Sequence, residues 1–344
     1  MIRRTKFSKW PLFFLIIVLI LTALTYAFFR WHIDQMLGGN TEVIDTSEIT
    51  AISGAIAISN TNILSPDSQM MRENQTVLIE GDKISFVGRV IDIPTHYHII
   101  DGQNKFVIPG LIDSHVHIKK SINDLLLYVA NGVTQVGEMT GMEHHFDIAA
   151  QIENGTIGPA LFIASPKITS RTGLRPLFRS MFEKRHQNYL TPEQGRNAVK
   201  RYKSLGYSAI KLSSDLDSDI YYAINDEAEK LNIPVIGHLP VGLQLADLYR
   251  SGQSQLAHID SIVLSLIGEF DKHYASSSEE FLAYVQQQAD TIASRFKEHE
   301  IVLASTVWLH KTRLQQGVDL PAFLRSIEFE YQNPGWVEGS FVSK

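Results

Sequence analysis

The sequence predicts an α/β fold: a TIM-type (β/α)8 barrel lacking its last unit, with a small N-terminal β-sandwich part and an N-terminal transmembrane helix. Three observations predict it. Apolar β-type runs alternate with helical patterns from residue 109 onward. Short β-type runs separated by turns occupy residues 48–108. An uncharged apolar stretch fills residues 10–29.

The elements are justified in chain order. Trp10 to Phe29 is a nearly unbroken apolar run, preceded by Arg3, Arg4, Lys6 and Lys9 and followed by Arg30. About 20 helical residues at ~1.5 Å each match the ~30 Å hydrocarbon core. The positive-inside rule then gives a single-pass membrane protein. Residues 1–9 are its cytoplasmic N-terminus and 10–29 its anchor, and the body lies outside the cytoplasm (in the periplasm of a bacterium). A cleaved signal peptide is the competing reading, but Tyr26-Ala27-Phe28-Phe29-Arg30 is a poor cleavage site. Residues 30–47, with Gly38-Gly39-Asn40, read as a linker. In 48–108, the partial β-sandwich, Ala51–Ile58, Gln75–Glu80 and Lys83–Val87 read as strands, and Glu80-Gly81-Asp82-Lys83 as a hairpin turn.

Residues 109–344 form the incomplete barrel. Predicted strands are Leu111–His117, Val133–Glu138, Ala160–Ala164, Ala209–Leu212, Pro234–His238, Gln255–Ile259 and Ile301–Trp308. Predicted helices are Ser121–Asn131, one opening at Thr191-Pro192-Glu193-Gln194 and closing at Leu205-Gly206, Asp219–Leu231, and Leu243–Ser251 stopped by Gly252. In such barrels the chemistry sits at the C-terminal ends of the strands.

Composition narrows the function. The 344 residues carry a net charge of −6 and no long basic run in the body, which gives no support to a nucleic-acid partner. The absence of cysteine excludes disulfides, thiolate metal sites and cysteine nucleophiles. No Gly-x-Ser-x-Gly elbow supports a serine hydrolase. Any metal must therefore be held by His, carboxylate or a modified Lys.

His115 and His117 are two apart on a predicted strand, so their side chains share a face. Alone, that pair reads as well as two partly exposed histidines. His238, His258 and Lys211 stand at the ends of three further predicted strands. A lysine in an apolar strand either snorkels out of the barrel end or is held there for chemistry. Glu138 closes the second strand and reads as a support behind the site, and His144-His145 as a solvated helix start. The loop after strand three carries Arg171, Arg175, Arg179, Lys184 and Arg185. Arg171 and Arg175 are the candidates for binding a substrate carboxylate.

The segment Val107-Ile108-Pro109-Gly110-Leu111-Ile112-Asp113-Ser114-His115-Val116-His117 resembles the signature of the amidohydrolase superfamily, nearest its imidazolonepropionase-like and prolidase-like members. Gly132-Val133-Thr134, Thr191-Pro192-Glu193 to Ile210-Lys211, Ile233 to His238 and Gln255 to Asp260 follow in the family's order. The resemblance implies that His115 and His117 bind one divalent metal and His238 and His258 a second, zinc in the first instance. It implies that Lys211 is carboxylated and bridges them, so that Lys211 and His238 count as catalytic. One or two ions then activate a water as hydroxide for attack on an amide or other C–N bond of a small-molecule, peptide-like or N-acyl substrate. The family's strand-eight Asp has no counterpart before Lys344, and Asp260 reads as a loop residue. That departure leaves a second reading open, a truncated or non-catalytic relative that keeps the metal ligands. Association into a homo-oligomer is also left open.

Overall fold

The structure, a computed structural model, describes residues 10–326 apart from 37, 40–42, 50–51, 53, 66, 68, 90–91 and 174–185. Its contacts divide the chain into two units, one of residues 44–111 and one of the remainder.

In the smaller unit, β1 (Ile56–Leu64), β2 (Met71–Glu80), β3 (Lys83–Gly88), β4 (His98–Asp101) and β5 (Phe106–Val107) make one five-stranded sheet. β2 pairs antiparallel with β1 and β3, whereas β4 and β5 run parallel to β1. The expected turn is present: Glu80 pairs with Lys83, and Gly81 takes φ +61°, which a two-residue hairpin needs of its first turn residue. The expected first strand, Ala51–Ile58, is shifted. β1 starts at Ile56 and runs to Leu64 through a register break at Asn60, whose left-handed φ of 55° bends the strand.

The larger unit opens with α1 (Trp10–Met36). The helix outruns the expected anchor and takes the first residues of the expected linker. Arg30 to Met36 contains no helix breaker, and Gly38, at φ +80°, is the first residue suited to a left-handed stop.

Strands and helices then alternate: β6 (Leu111–Val116), α2 (Asn123–Ala130), β7 (Val133–Glu138), α3 (Glu143–Glu153), β8 (Ala160–Ile163), β9 (Lys167–Thr169), β10 (His186–Asn188), α4 (Pro192–Ser204) and β11 (Ile210–Leu212). The series continues through α5 (Ser218–Lys230), β12 (Val235–Gly237), α6 (Leu245–Ser251), β13 (Gln255–Ala257), α7 (Asp260–Glu269), α8 (Ser278–Glu298), β14 (Val302–Ala304), α9 (Val307–Val318) and α10 (Leu320–Arg325). Among the described residues the strands form a six-stranded parallel sheet, β10-β9-β11-β12-β13-β14, and a three-stranded sheet, β6-β7-β8. A parallel bridge from Ala164 to Ala209 connects the two. The expected barrel lacking its last unit is thus seen, among the described residues, as two linked sheets.

Local chemistry sets the boundaries. Thr191 Oγ1 accepts from Gln194 N, and Gln194 Oε1 accepts from Leu190 N, so two amides at the head of α4 are satisfied. Gly252, in the left-handed region, ends α6. The last expected strand stops early because Thr306 turns left-handed at φ +49° and starts α9 at Val307. Ile168, Val199, Tyr202, Ile210, Leu212, Ile220, Ile224, Leu248 and Leu256 are buried in one core. At roughly 1.5–3 kcal/mol for each large apolar side chain, that core fixes α4 and α5 over the sheet. All three residues of β11 and of β12 are buried, as a parallel sheet covered on both faces requires.

Gly237 closes β12 directly before His238. Its φ is +119°, and a Cβ there would lie 2.5 Å from the Leu212 carbonyl oxygen and 2.9 Å from Leu212 N. Gly237→Ala should cost on the order of 2–4 kcal/mol through strain and backbone clash. Equilibrium urea denaturation measures this, and a loss within about 0.5 kcal/mol would contradict the stated close approach.

Candidate active site

The C-terminal ends of β6, β7, β11, β12 and β13 bring the predicted residues together. His115 lies in β6, and His117 follows that strand's end. His238 and His258 are the first residues after β12 and β13. The His115 and His117 ring centroids are 5.5 Å apart, His115 and His258 4.7 Å, and His238 and His258 4.9 Å.

Lys211, in the middle of β11, is fully buried, and its Nζ has no hydrogen-bond partner among the described residues. The amine therefore does not snorkel to water. Burial, helped by the Lys167 charge and opposed by Glu138, pushes it down to about 7. The same causes act on the histidines. Burial and then the Lys211 charge push His115 down to about 2, His238 to about 3 and His258 to about 4. At neutral pH these rings are uncharged and keep a lone pair for a cation.

Hydrogen bonds orient three of them. His238 Nδ1 is 3.1 Å from the Leu212 carbonyl. A carbonyl only accepts, so Nδ1 carries the proton and Nε2 presents its lone pair. His258 Nδ1 meets Thr306 Oγ1 at 2.8 Å, and His117 Nδ1 meets Thr140 Oγ1 at 3.0 Å. His115 Nδ1 is buried without a partner among the described residues. Oriented imidazoles, an unpartnered buried nitrogen and a buried unpartnered amine fit a divalent cation and a modified lysine. Among the described residues, no three His, Asp or Glu side chains close around a common point as a metal-holding group; the histidines form an open chain.

Glu138, at the end of β7, is fully buried. Burial tends to raise it, but the hydrogen bond and charge of His117, the charge of His145 and the Thr140 N–H hold the carboxyl below its ordinary value. It accepts from Thr140 N at 2.7 Å and from Ile118 N. His145 is not the solvated residue expected. It is fully buried in α3, accepts from Met142 N at Nδ1 and approaches the Ile118 carbonyl through Nε2 at 3.3 Å. Asp260 is exposed and begins α7 rather than lying in a loop.

Arg171 pairs with Asp215, from the segment after β11. Arg175, Arg179, Lys184 and Arg185 lie outside the described residues. Sequence reasoning missed Thr140, Thr306 and His310. His310 has a buried Nε2 with no partner and lies near enough to His258 to lower it further. Single hydroxyls carry no spacing signal. His310 falls within three residues of the expected strand end at Trp308, and that position was its only clue.

No protein-family model matches the chain. It is 26% identical over 258 residues to a 5-methylthioadenosine/S-adenosylhomocysteine deaminase of Carboxydothermus hydrogenoformans, a match covering 65% of this chain and 58% of the relative. It is 46% identical over 46 residues to an imidazolonepropionase of Vibrio cholerae, covering 13% of this chain and 11% of the relative. The chain thus spans little more than half the length of the first of these relatives. In fold it is similar to a prolidase solved with N-methylphosphonate-L-proline (TM-score 0.51, 22% identity, 72% of this chain and 77% of that one). It is also similar to a Xaa-Pro dipeptidase with methionine in its active site (TM-score 0.52, 16% identity, 73% and 78%). In sequence the chain is thus similar to a deaminase and an imidazolonepropionase, and in the arrangement of its strands and helices to a prolidase and a Xaa-Pro dipeptidase.

Proposed function

We propose that this chain is a metal-dependent hydrolase of amide or related C–N bonds, held at a membrane by α1. The observation that carries the reading is the buried, unpartnered Lys211 amine at the strand ends that also bear His115, His238 and His258. An apolar core has no use for an uncompensated amine. A site that converts the amine to an anion does.

His115, His117, His238 and His258, with a carboxylated Lys211, would hold one or two divalent ions, zinc in the first instance. A bound ion supplies Lewis-acid activation of water and of the scissile carbonyl. Because Lys211 is pushed down to about 7, much of it is the neutral amine near physiological pH. A neutral amine can add to CO2: the N–C bond forms as one C=O π bond of CO2 opens, one proton leaves to solvent, and the neutral amine becomes an anionic carbamate. Glu138 accepts from Thr140 N and Oγ1 and so holds the Thr140 hydroxyl that meets His117 Nδ1. Arg171, released from Asp215, is the candidate for a substrate carboxylate, as is Arg175. The mean hydropathy of 2.7 over Leu12–Gln35, with none of that window buried, supports the anchor reading of α1.

Purified chain supplied with zinc and bicarbonate should hydrolyse N-acyl amino acids or dipeptides, and chelation should abolish the activity. Metal content by mass spectrometry should fall on His238→Ala. A chain that takes up no divalent ion under any condition contradicts the proposal, and one that takes up metal but cleaves no C–N bond leaves the non-catalytic relative.

Lys211→Met should abolish turnover while stabilising the metal-free, CO2-free protein. As pH falls from the ordinary lysine value, the unfolded chain takes up a proton that the folded chain refuses until about 7. Stability is therefore lost across that window, by on the order of 4 kcal/mol. Denaturation of the wild type against pH should show this slope, and the variant should lack it.

The histidines extend the trend into acid. Their folded values lie at about 2 to 4, so below their ordinary value the unfolded state binds more protons. Stability of the metal-free protein should fall steadily as pH drops from about 6.5 toward 4. A flat profile over that range would contradict the burial of these rings.

A further inference from the structure

Three residues share one offset past the ends of their strands, on the rim where those strands end. Lys120 lies four residues past Val116 of β6, Val241 four past Gly237 of β12 and Trp308 four past Ala304 of β14. Lys120 forms an ion pair with Asp34 of α1. Val241 is 78% exposed and Trp308 75%, with Val307 beside it at 56%. Asp34 is the penultimate residue of the apolar span Leu12–Gln35. Trp31 precedes it by three residues, about 4.5 Å along the helix at ~1.5 Å each. An exposed tryptophan at the end of an apolar helix belongs at the membrane interface. Arg30, close enough to add to the effect of burial in lowering Lys120, places a second cation there. The Asp34–Lys120 pair sets Lys120 beside the membrane-exit end of α1. Exposed Trp308, Val307 and Val241 on that rim match the chemistry of the headgroup–acyl boundary.

We propose that this rim rests on the bilayer that α1 enters, with Val241, Val307 and Trp308 in the boundary layer, and that the site behind it takes amides bearing an acyl chain from the leaflet. The inference rests on the anchored-hydrolase reading above. An amphiphilic amide keeps its chain among the lipids while its polar end reaches the strand ends. A fully water-soluble amide gains nothing from that arrangement.

The test uses the full chain with Trp10, Trp31 and Trp336 replaced by Phe, which leaves Trp308 as the sole tryptophan of four. It is reconstituted into phosphatidylcholine–phosphatidylglycerol vesicles containing lipid brominated high on the acyl chain. The protein should float with the vesicles, and Trp308 emission should be quenched about twofold or more. Lys120→Glu should weaken the quenching, and Asp34→Lys combined with Lys120→Glu should restore it. A floating protein with unquenched Trp308 overturns the docked rim alone, whereas a protein that does not float overturns the anchor as well. Should the triple variant misfold by circular dichroism, Trp308→Phe with Val241→Trp, read as the added quenching over Trp308→Phe, replaces it. For the substrate class, kcat/KM for a dodecanoyl amide should exceed that of the acetyl amide of the same amine by about tenfold or more. Equal values overturn the acyl-chain preference while hydrolysis stands, and no cleavage of either overturns the hydrolase reading with it.

Discussion

A lysine amine inside a protein, out of reach of water and without a hydrogen-bond acceptor, opposes folding, and Lys211 is such an amine. It has no way out, because β11 lies between β9 and β12 and both its faces are covered. Even its backbone is held from outside the strand ladder, since Lys211 N donates to Ser165 Oγ at 2.9 Å. The surrounding charges follow from this placement. Each histidine that faces the amine is kept neutral partly by the amine itself. Neutral imidazoles keep the lone pairs that a divalent cation would need. Stability and chemistry are thus opposed at one side chain, as functional sites commonly show.

The histidines depend on a second layer of contacts. Leu212 O, Thr306 Oγ1 and Thr140 Oγ1 meet the Nδ1 atoms of His238, His258 and His117. Leu212 is the residue after Lys211, so β11 supplies both the buried amine and the group that orients His238. A shift of β11 would move two site residues together. That coupling gives the close approach of Gly237 to Leu212 its meaning, because a side chain there would push the strand that carries Lys211.

Much of this was legible in the sequence because strand ends are marked by polar residues after apolar runs. His115, His117, Lys211, His238 and His258 were each found that way, and the structure brings His115, His117, His238 and His258 into a chain of ring contacts with Lys211 electrostatically coupled to them. The Thr191 cap and the Gly252 stop carry strong local signals, and both were placed correctly. What escaped notice lacked such signals. β9 and β10 are three residues each, too short for periodicity. α8 is long but mostly polar, packing through Phe281, Tyr284, Val285 and Ile292 with Phe296 buried. His144-His145 looked solvated because both are polar, yet the i+3 relation to Met142 turns His145 inward as a cap. Arg171 was read as free for substrate, while its partner Asp215 comes from 44 residues along the chain, beyond any local pattern.

The hardest feature to foresee is also the most informative. His258 and Thr306 both take left-handed backbone conformations, at φ 72° and 49°. For a β-branched threonine this is an uncommon choice, and each such residue costs on the order of 1–3 kcal/mol. No propensity rule would place either there. The two lie on neighbouring strand ends and are joined by the 2.8 Å contact between His258 Nδ1 and Thr306 Oγ1. His258 N also donates to Ala304 O, and Ile259 N to Ser305 O, so the distorted backbone is held from both sides. The strain turns His258 toward His115 and His238, and the same turn at Thr306 sets the start of α9 and presents Val307 and Trp308 at the rim. One strained pair therefore governs both the inner face of the site and its outer edge, so a change that relaxes Thr306 would disturb His258 and the rim at once.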